Sequence, residues 1–349
     1  MTVHTAGFNC DSARAGALPR GAPPSAALRG GARVRCALLA SALVRGSLLC
    51  GALLAGAAGL VPARCAAAVV TDDTGRRVTV PPPPLRIASL APNVTAMLFA
   101  AGAGDQVVAA VATEYSTELP AARRIPRIGD ANAVDLERLV TLRPNVIVAW
   151  PGGESPAEIA GIARLGIPIY RVRASTLADF SASVRRLGIV AGTQAVADRE
   201  ADALAARLGA LTHRYAAARP VTVLLQVWSR PVYTVGGAQL LTDALRVCGA
   251  RNVFGDLRAL GPAVSTESVI ARDPEVIIAV APRAEGESWL AEWRRFPELR
   301  AVASGNLIAF DDQRLTRMGP GVLDATEGLC KAIDAARRRS RRPPNRGNY

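Results

Sequence analysis

From residue 86 onward, short apolar runs take turns with longer amphipathic stretches. The apolar runs at 86–90, 106–111, 145–150 and 167–172 have the length and β-branched content of buried strands. Between them lie helical patterns at 93–103, 134–142, 156–166 and 177–192, stopped by Gly102, Pro144, Gly166 and Gly192. Ahead of them, 69–84 reads as a hairpin around Asp72-Asp73-Thr74-Gly75, closed by a proline run. The rhythm then breaks. Residues 194–218 are about seven turns of helix formers without a strand, ended by Pro220. Alternation resumes with strands at 221–227, 275–280 and 307–310 and helices at 239–249, 264–272, 289–296 and 321–339. Strands alternating with helices predict parallel sheets covered on both faces. The predicted class is α/β, two lobes joined by one long helix.

A repeat supports the two lobes. Residues 134–150 (VDLERLVTLRPNVIVAW) match 264–280 (VSTESVIARDPEVIIAV) at an offset of 130, with a helix, a proline and a buried strand in each. The expected organisation is a leader over 1–68, an N-terminal lobe over 69–191, a connecting helix over 192–219, a C-terminal lobe over 220–336 and a basic disordered tail over 337–349.

The net charge of +13 does not indicate nucleic-acid binding. Residues 1–68 carry +6 and residues 337–349 another +6, leaving about +1 for the part that folds. The leader has a basic segment, an apolar segment broken by Arg45, and small residues near Ala68. Its uninterrupted apolar part, 46–60, falls short of the ~20 residues that span a bilayer. It reads as a removed signal peptide, and the protein as periplasmic. Four of the six cysteines then leave with the leader. Cys248 and Cys330 remain, and spacing alone fits a disulfide or two buried thiols equally.

The chain beyond the leader keeps one histidine, His213, in the long helix. That excludes Ser–His–Asp and Cys–His catalysis and multi-histidine metal sites. Gly102-Ala103-Gly104 follows a helix, not a strand, so it fails as a dinucleotide fingerprint. The expectation is therefore a binder, not an enzyme, with no cofactor and with ligand between the lobes. An exported nucleotide-using enzyme is the rival from another class. The repeat places Glu137 and Glu267 in the first turn of equivalent helices, with Asp135 and Ser265 at the capping positions. Two readings stand. A first-turn acid favours the helix dipole; a matched pair of exposed anions also suits a symmetric dimeric partner with one basic pocket per subunit.

The stretches 86–108, 134–153, 264–280 and Arg314-Leu315-Thr316-Arg317-Met318-Gly319-Pro320 resemble the periplasmic binding proteins of ABC importers for cobalamin, siderophores and haem, and most closely those for vitamin B12. The resemblance spans about Arg86 to Ala335. It implies two Rossmann-like lobes on one backbone helix, the architecture of the class III periplasmic binding proteins. It implies a monomer that docks Glu137 and Glu267 onto a dimeric ABC permease in the inner membrane, and a Cys248–Cys330 disulfide. It further implies a corrinoid held by Tyr115, Trp150, Tyr233, Asp312 and Arg317, with siderophore or haem as the alternative cargo. Asp312 and Arg317 also fit a simple ion pair. Six residues before each glutamate the cobalamin binders carry a tryptophan; here those places hold Ala131 and Gly261, so two aromatic walls are missing. Trp228 is a candidate replacement without a predicted location.

Overall fold

The structure is a computed structural model and describes residues 67–111, 119–130, 133–151, 156–317 and 319–340. Strands β1 (Ala68–Thr71) and β2 (Arg77–Val80) form the expected antiparallel hairpin. Its turn is fixed by carboxylates. Asp72 Oδ1 accepts from the Thr74 and Arg76 N–H groups, and Asp73 accepts from the Ser183 hydroxyl at 2.6 Å and from Arg186 Nε at 2.6 Å. The two acids are thus structural fastenings of the hairpin to the lobe.

The N-terminal lobe contains β3 (Ile87–Ser89), α1 (Pro92–Ala100), β4 (Val107–Ala110), α2 (Leu136–Thr141), β5 (Val146–Ala149), α3 (Pro156–Ala163) and β6 (Ile169–Arg171). Its strands are parallel in the order β4-β3-β5-β6. Helices α4 (Leu177–Ala191) and α5 (Gln194–Tyr215) follow. The C-terminal lobe contains β7 (Val221–Gln226), β8 (Val232–Tyr233), α6 (Leu240–Val247), β9 (Ala250–Asn252), β10 (Ala263–Val264), α7 (Thr266–Arg272), β11 (Val276–Val280), α8 (Arg283–Trp293), α9 (Arg300–Ala303), β12 (Leu307–Phe310), α10 (Arg314–Arg317) and α11 (Val322–Arg339). Its parallel order is β9-β7-β11-β12. Substituting β7, β9, β11 and β12 for β3, β4, β5 and β6 turns one sheet into the other. The sequence repeat is therefore a repeat of topology, with α2–β5 standing where α7–β11 stands.

Side-chain alternation sorts the core into three layers. Val146 and Val148 on β5, and Val276, Ile278 and Val280 on β11, face one central cluster shared by both lobes. Their neighbours Ile147 and Ala149 face a separate outer cluster, as do Ile277 and Ala279 in the other lobe. Strands buried on both faces read as unbroken apolar runs, which is why the sequence shows them so clearly.

The connection between lobes is a helix pair. Helix α5, about 33 Å long at 1.5 Å per residue, starts against the N-terminal lobe, where Thr193 Oγ1 donates to the Ala101 carbonyl at 2.6 Å. It ends with Tyr215 in the shared core, beside α6. Helix α4 runs back alongside. Its N-terminus is closed by a Thr176–Asp179 capping box, and the Leu177 N–H donates to Asp243 of α6 at 2.8 Å. Its far end meets the N-terminal lobe where Gln106 Nε2 donates to the Ala191 carbonyl at 2.9 Å. Gly192 turns the corner with φ 69°, a left-handed conformation that glycine adopts without strain. Gly188 lets the helices touch, since a Cβ there would lie 2.1 Å from that of Ala197.

Cys248 caps α6 and is bonded to Cys330 of α11, with the two Cα atoms 4.7 Å apart. The expected tail boundary at 337 is corrected. Helix α11 continues through Arg339 because Arg337 is only 4 % exposed and is held by the protein. Its guanidinium donates to the carbonyls of Arg219 (2.7 Å), Cys248 (3.0 Å) and Gly249 (3.2 Å) and to Asp334 (2.8 Å).

Candidate functional site

In parallel α/β sheets ligands collect beyond the carboxyl ends of the strands. Among the described residues, most of those expected to hold ligand follow such an end. Trp150 directly follows β5, Asp312 lies just past β12 and Arg317 closes α10. Tyr233 sits on β8, which returns from the end of β7. Tyr115 lies outside the described residues.

A cavity of about 400 Å³ opens between the lobes. Ala96 of α1 and Leu119 line it from the N-terminal lobe; Arg314, Arg317, Pro320 and Asp324 line it from the C-terminal lobe. The lobes come close at its rim, where a Cβ on Gly319 would lie 3.6 Å from that of Ala96. Trp150 is half-buried and packs on the shared central core, and neither it nor Tyr233 belongs to the cavity lining.

The structure changes the partner of Asp312. Its two carboxylate oxygens accept from Arg314 Nε at 2.9 Å and Arg314 Nη2 at 2.7 Å, a fork that a guanidinium two residues away supplies more easily than Arg317. This hydrogen bonding from Arg314, with a smaller contribution from the Arg317 charge, holds the Asp312 carboxyl below the ordinary carboxylate range. Arg314 also reaches Asp324 at 3.4 Å, and Asp324 pairs with Arg207 of α5. The cavity floor is thus tied to the connecting helices. The sequence carried a signal for Arg314, which shares the Arg-Leu-Thr-Arg stretch with Arg317; nothing in it distinguished which arginine would grip Asp312. Gln313 Nε2, next in line, is buried without a hydrogen-bond partner among the described residues.

Glu137 and Glu267 are both exposed, in the first turns of α2 and α7. The surroundings repeat closely. Asp135 accepts from the Arg138 N–H at 2.9 Å and Ser265 from the Ser268 N–H at 3.2 Å, which are matching N-caps. Leu139 and Val269 are the matching buried anchors. Val134 and Val264 are each held in an antiparallel pairing just before the helix. Hydrogen bonds from its own N–H and from Ser265 keep the Glu267 carboxyl below its ordinary range, so it is charged at neutral pH. Of the two positions lacking tryptophan, Ala131 lies outside the described residues. Gly261 is exposed, and a Cβ there would make one ordinary contact, 3.9 Å from the Thr234 carbonyl oxygen.

Trp228, whose place the sequence left open, follows the end of β7 and is 55 % exposed. Its ring lies 6.2 Å from that of Trp289, tilted by 57°. Among the described residues there is no cluster of metal-ligating side chains, and no helix is long and apolar enough to cross a membrane.

This geometry has known counterparts. A family model for periplasmic binding proteins matches residues 87–314. The vitamin B12-binding protein of Vibrio cholerae is 32 % identical over 259 residues, covering 74 % of this chain and 92 % of the relative. That of Photorhabdus laumondii is 32 % identical over 251 residues, covering 72 % and 88 %. The crystal structure of the periplasmic vitamin B12 binding protein BtuF of Vibrio cholerae superposes with a TM-score of 0.65 at 32 % identity, covering 73 % of this chain and 99 % of that one. The haem-binding protein HutB of Vibrio cholerae, at 19 % identity and a TM-score of 0.61, shares the fold. These relatives are binding proteins, not enzymes, and this chain belongs with them to the periplasmic binding protein family.

Proposed function

We propose that this protein is the exported substrate-binding protein of an ABC importer, and that it captures cobalamin or a related corrinoid between its lobes. The observation that carries the reading is the likeness to vitamin B12-binding proteins over nearly their whole length, in a chain with the same fold. The site chemistry agrees. Arg314, Arg317 and Asp324 line the cavity, and Arg314 is held by Asp312, so the polar wall offers donors and an acceptor for the amide-bearing edge of a corrinoid. Trp150, Tyr115 and Tyr233 are assigned to the ligand's apolar face.

Delivery is to a two-fold permease. Glu137 and Glu267 are its contacts, one on each lobe, because two exposed carboxylates in repeated surroundings meet two equivalent basic pockets. The protein acts as a monomer without a cofactor, and residues 1–68 direct it to the periplasm.

The test is a visible spectrum. Purified protein is mixed separately with cyanocobalamin, haemin and ferric siderophores, then desalted. Retention of the cyanocobalamin bands is expected. Retention of haemin alone would transfer the cargo to haem, for which Tyr115 or Tyr233 would serve as axial phenolate; retention of none would end the reading.

A further inference from the structure

We infer that Arg207 of α5 is a positioning residue for the cargo: it lies outside the cavity lining, yet holds Asp324 and, through Asp324, Arg314 in the cavity wall. This rests on the reading above that cargo sits between the lobes, and cyanocobalamin is the titrant for that reason.

Four charged side chains form a chain of alternating sign. Arg207 Nη2 donates to Asp324 Oδ1. The other oxygen of Asp324, Oδ2, lies 3.4 Å from Arg314 Nη1. Arg314 in turn forks onto Asp312 through Nε at 2.9 Å and Nη2 at 2.7 Å. Each oxygen of Asp324 thus has its own guanidinium. The chain runs from a connecting helix, across the first turn of α11, to the residues that follow β12. Asp324 and Arg314 line the cavity; Arg207 does not.

Arg207 is well seated for this task. It faces Asp324 and Glu327, which lie three residues apart on one side of α11, and it also bonds Glu327, at 3.2 Å. Two carboxylates fix the direction of a guanidinium better than one. At the other end, the stem of Arg314 lies over Gly321, where a Cβ would come within 2.9 Å of Arg314 Cδ. The head of Arg314 stands between Asp312 and Asp324, so where Asp324 points decides how closely Arg314 keeps to Asp312. With Oδ1 released, Asp324 turns onto Arg314 and draws it off Asp312, and the donors that meet the cargo move with it.

The role is not one of stability. The side chains of Arg207 and Asp324 are 44 % and 42 % exposed, and ion pairs in such surroundings contribute little to folding. Their value is preorganisation: a wall whose side chains are already ordered costs a ligand less to bind.

The experiment titrates cyanocobalamin into the wild type, Arg207→Met, Arg207→Lys, Asp324→Asn and the variant combining Arg207→Met with Asp324→Asn. Arg207→Met should bind about five-fold more weakly, at an unchanged urea midpoint. Arg207→Lys keeps a charge for Asp324 and should recover most of that loss. Asp324→Asn should also weaken binding, and adding Arg207→Met to it should cost nothing further, because the two side chains act as one unit. Losses that add would overturn the assignment, as would an Arg207→Met affinity within about 1.5-fold of the wild type. A lowered urea midpoint in Arg207→Met would overturn it too, giving the residue to helix packing. A second readout needs no ligand. Amide hydrogen exchange over residues 311–317 of the free protein should quicken in Arg207→Met, and unchanged exchange there refutes the inference. If the wild type binds no cyanocobalamin, the corrinoid reading falls by itself, and the exchange result decides for or against Arg207.

Discussion

Replacing Arg337 by Met should destabilise the protein by about 3–5 kcal/mol, the range for breaking a buried charged network. The substitution keeps most of the side-chain volume and removes every polar contact. Three backbone carbonyls, those of Arg219, Cys248 and Gly249, lose a charged donor at 2.7–3.2 Å. Hydrogen bonds from a charged group are worth about 1.5–3 kcal/mol each, and a buried carbonyl left alone costs about 1–3 kcal/mol. The three are not independent, because one guanidinium serves them all, so the sum is discounted to the range above. Asp334 is affected less, since it keeps Arg338 and is itself a third exposed. Urea unfolding at pH 7, with the disulfide intact, gives the difference from the midpoint shift at unchanged slope. Arg337→Lys should fall between, as an ammonium cannot span all three carbonyls. A loss below about 1 kcal/mol for Arg337→Met would show that the carbonyls are satisfied without the side chain, and would return Arg337 to the tail.

Removing the disulfide with Cys248→Ser and Cys330→Ser should cost about 4 kcal/mol for a separation of 82 residues, read by the same unfolding assay; equal stability of reduced and oxidised wild type would contradict it. Gly188→Ala should destabilise by ~1–2 kcal/mol despite the better helix former, because the added methyl would lie 2.1 Å from the Ala197 Cβ. Ala197→Gly in the same chain should recover part of that loss, and additive losses would refute the contact. Because the Asp312 carboxyl is held below its ordinary range, its contribution is complete above the unfolded value and is lost as pH falls through the folded one. Cyanocobalamin affinity should therefore be flat from pH 8 to 5 and decline only below about 4; an Asp312-dependent change near neutrality, absent in Asp312→Asn, would count against this. Glu137→Arg combined with Glu267→Arg should abolish uptake while leaving ligand affinity within about two-fold, since like charges across an interface cost several kcal/mol. Normal uptake by that variant would reduce both glutamates to first-turn helix acids.

The elements legible in the sequence were those whose burial sets a period. Strands β5 and β11 are covered on both faces and read as apolar runs, and the repeat of α2–β5 in α7–β11 marks two like sheets in the sequence itself. The apolar pattern marks helix α8 only from 289, but the helix begins at Arg283. Its first turns have no apolar period, and what places them is Pro282 at the N-cap and Gly286, where a Cβ would lie 3.3 Å from that of Ala309. The β8–β10 ribbon left no trace, because two-residue strands are too short to show alternation. Its Tyr233 also bridges back to Trp228. Arg337 looked like part of a basic run, and only the three carbonyls that converge on it show otherwise. In each case the deciding contact comes from residues distant in the chain, which local pattern does not record.

The paired helices α4 and α5 have a mechanical consequence. A loop hinge opens by rotating a few backbone dihedrals and loses no packing. Two helices seated against each other at Gly188 and Ala197, and fastened at their ends to different lobes, yield only by bending along their length or by unseating that contact. Such a joint stores elastic energy under small deflections and returns to one rest position. The lobes then resemble the jaws of a spring clip more than a swinging door. Thermal motion opens them little, so a held cargo leaves slowly unless the jaws are forced. The force must act on both lobes in opposite directions, and an outside machine needs a grip on each.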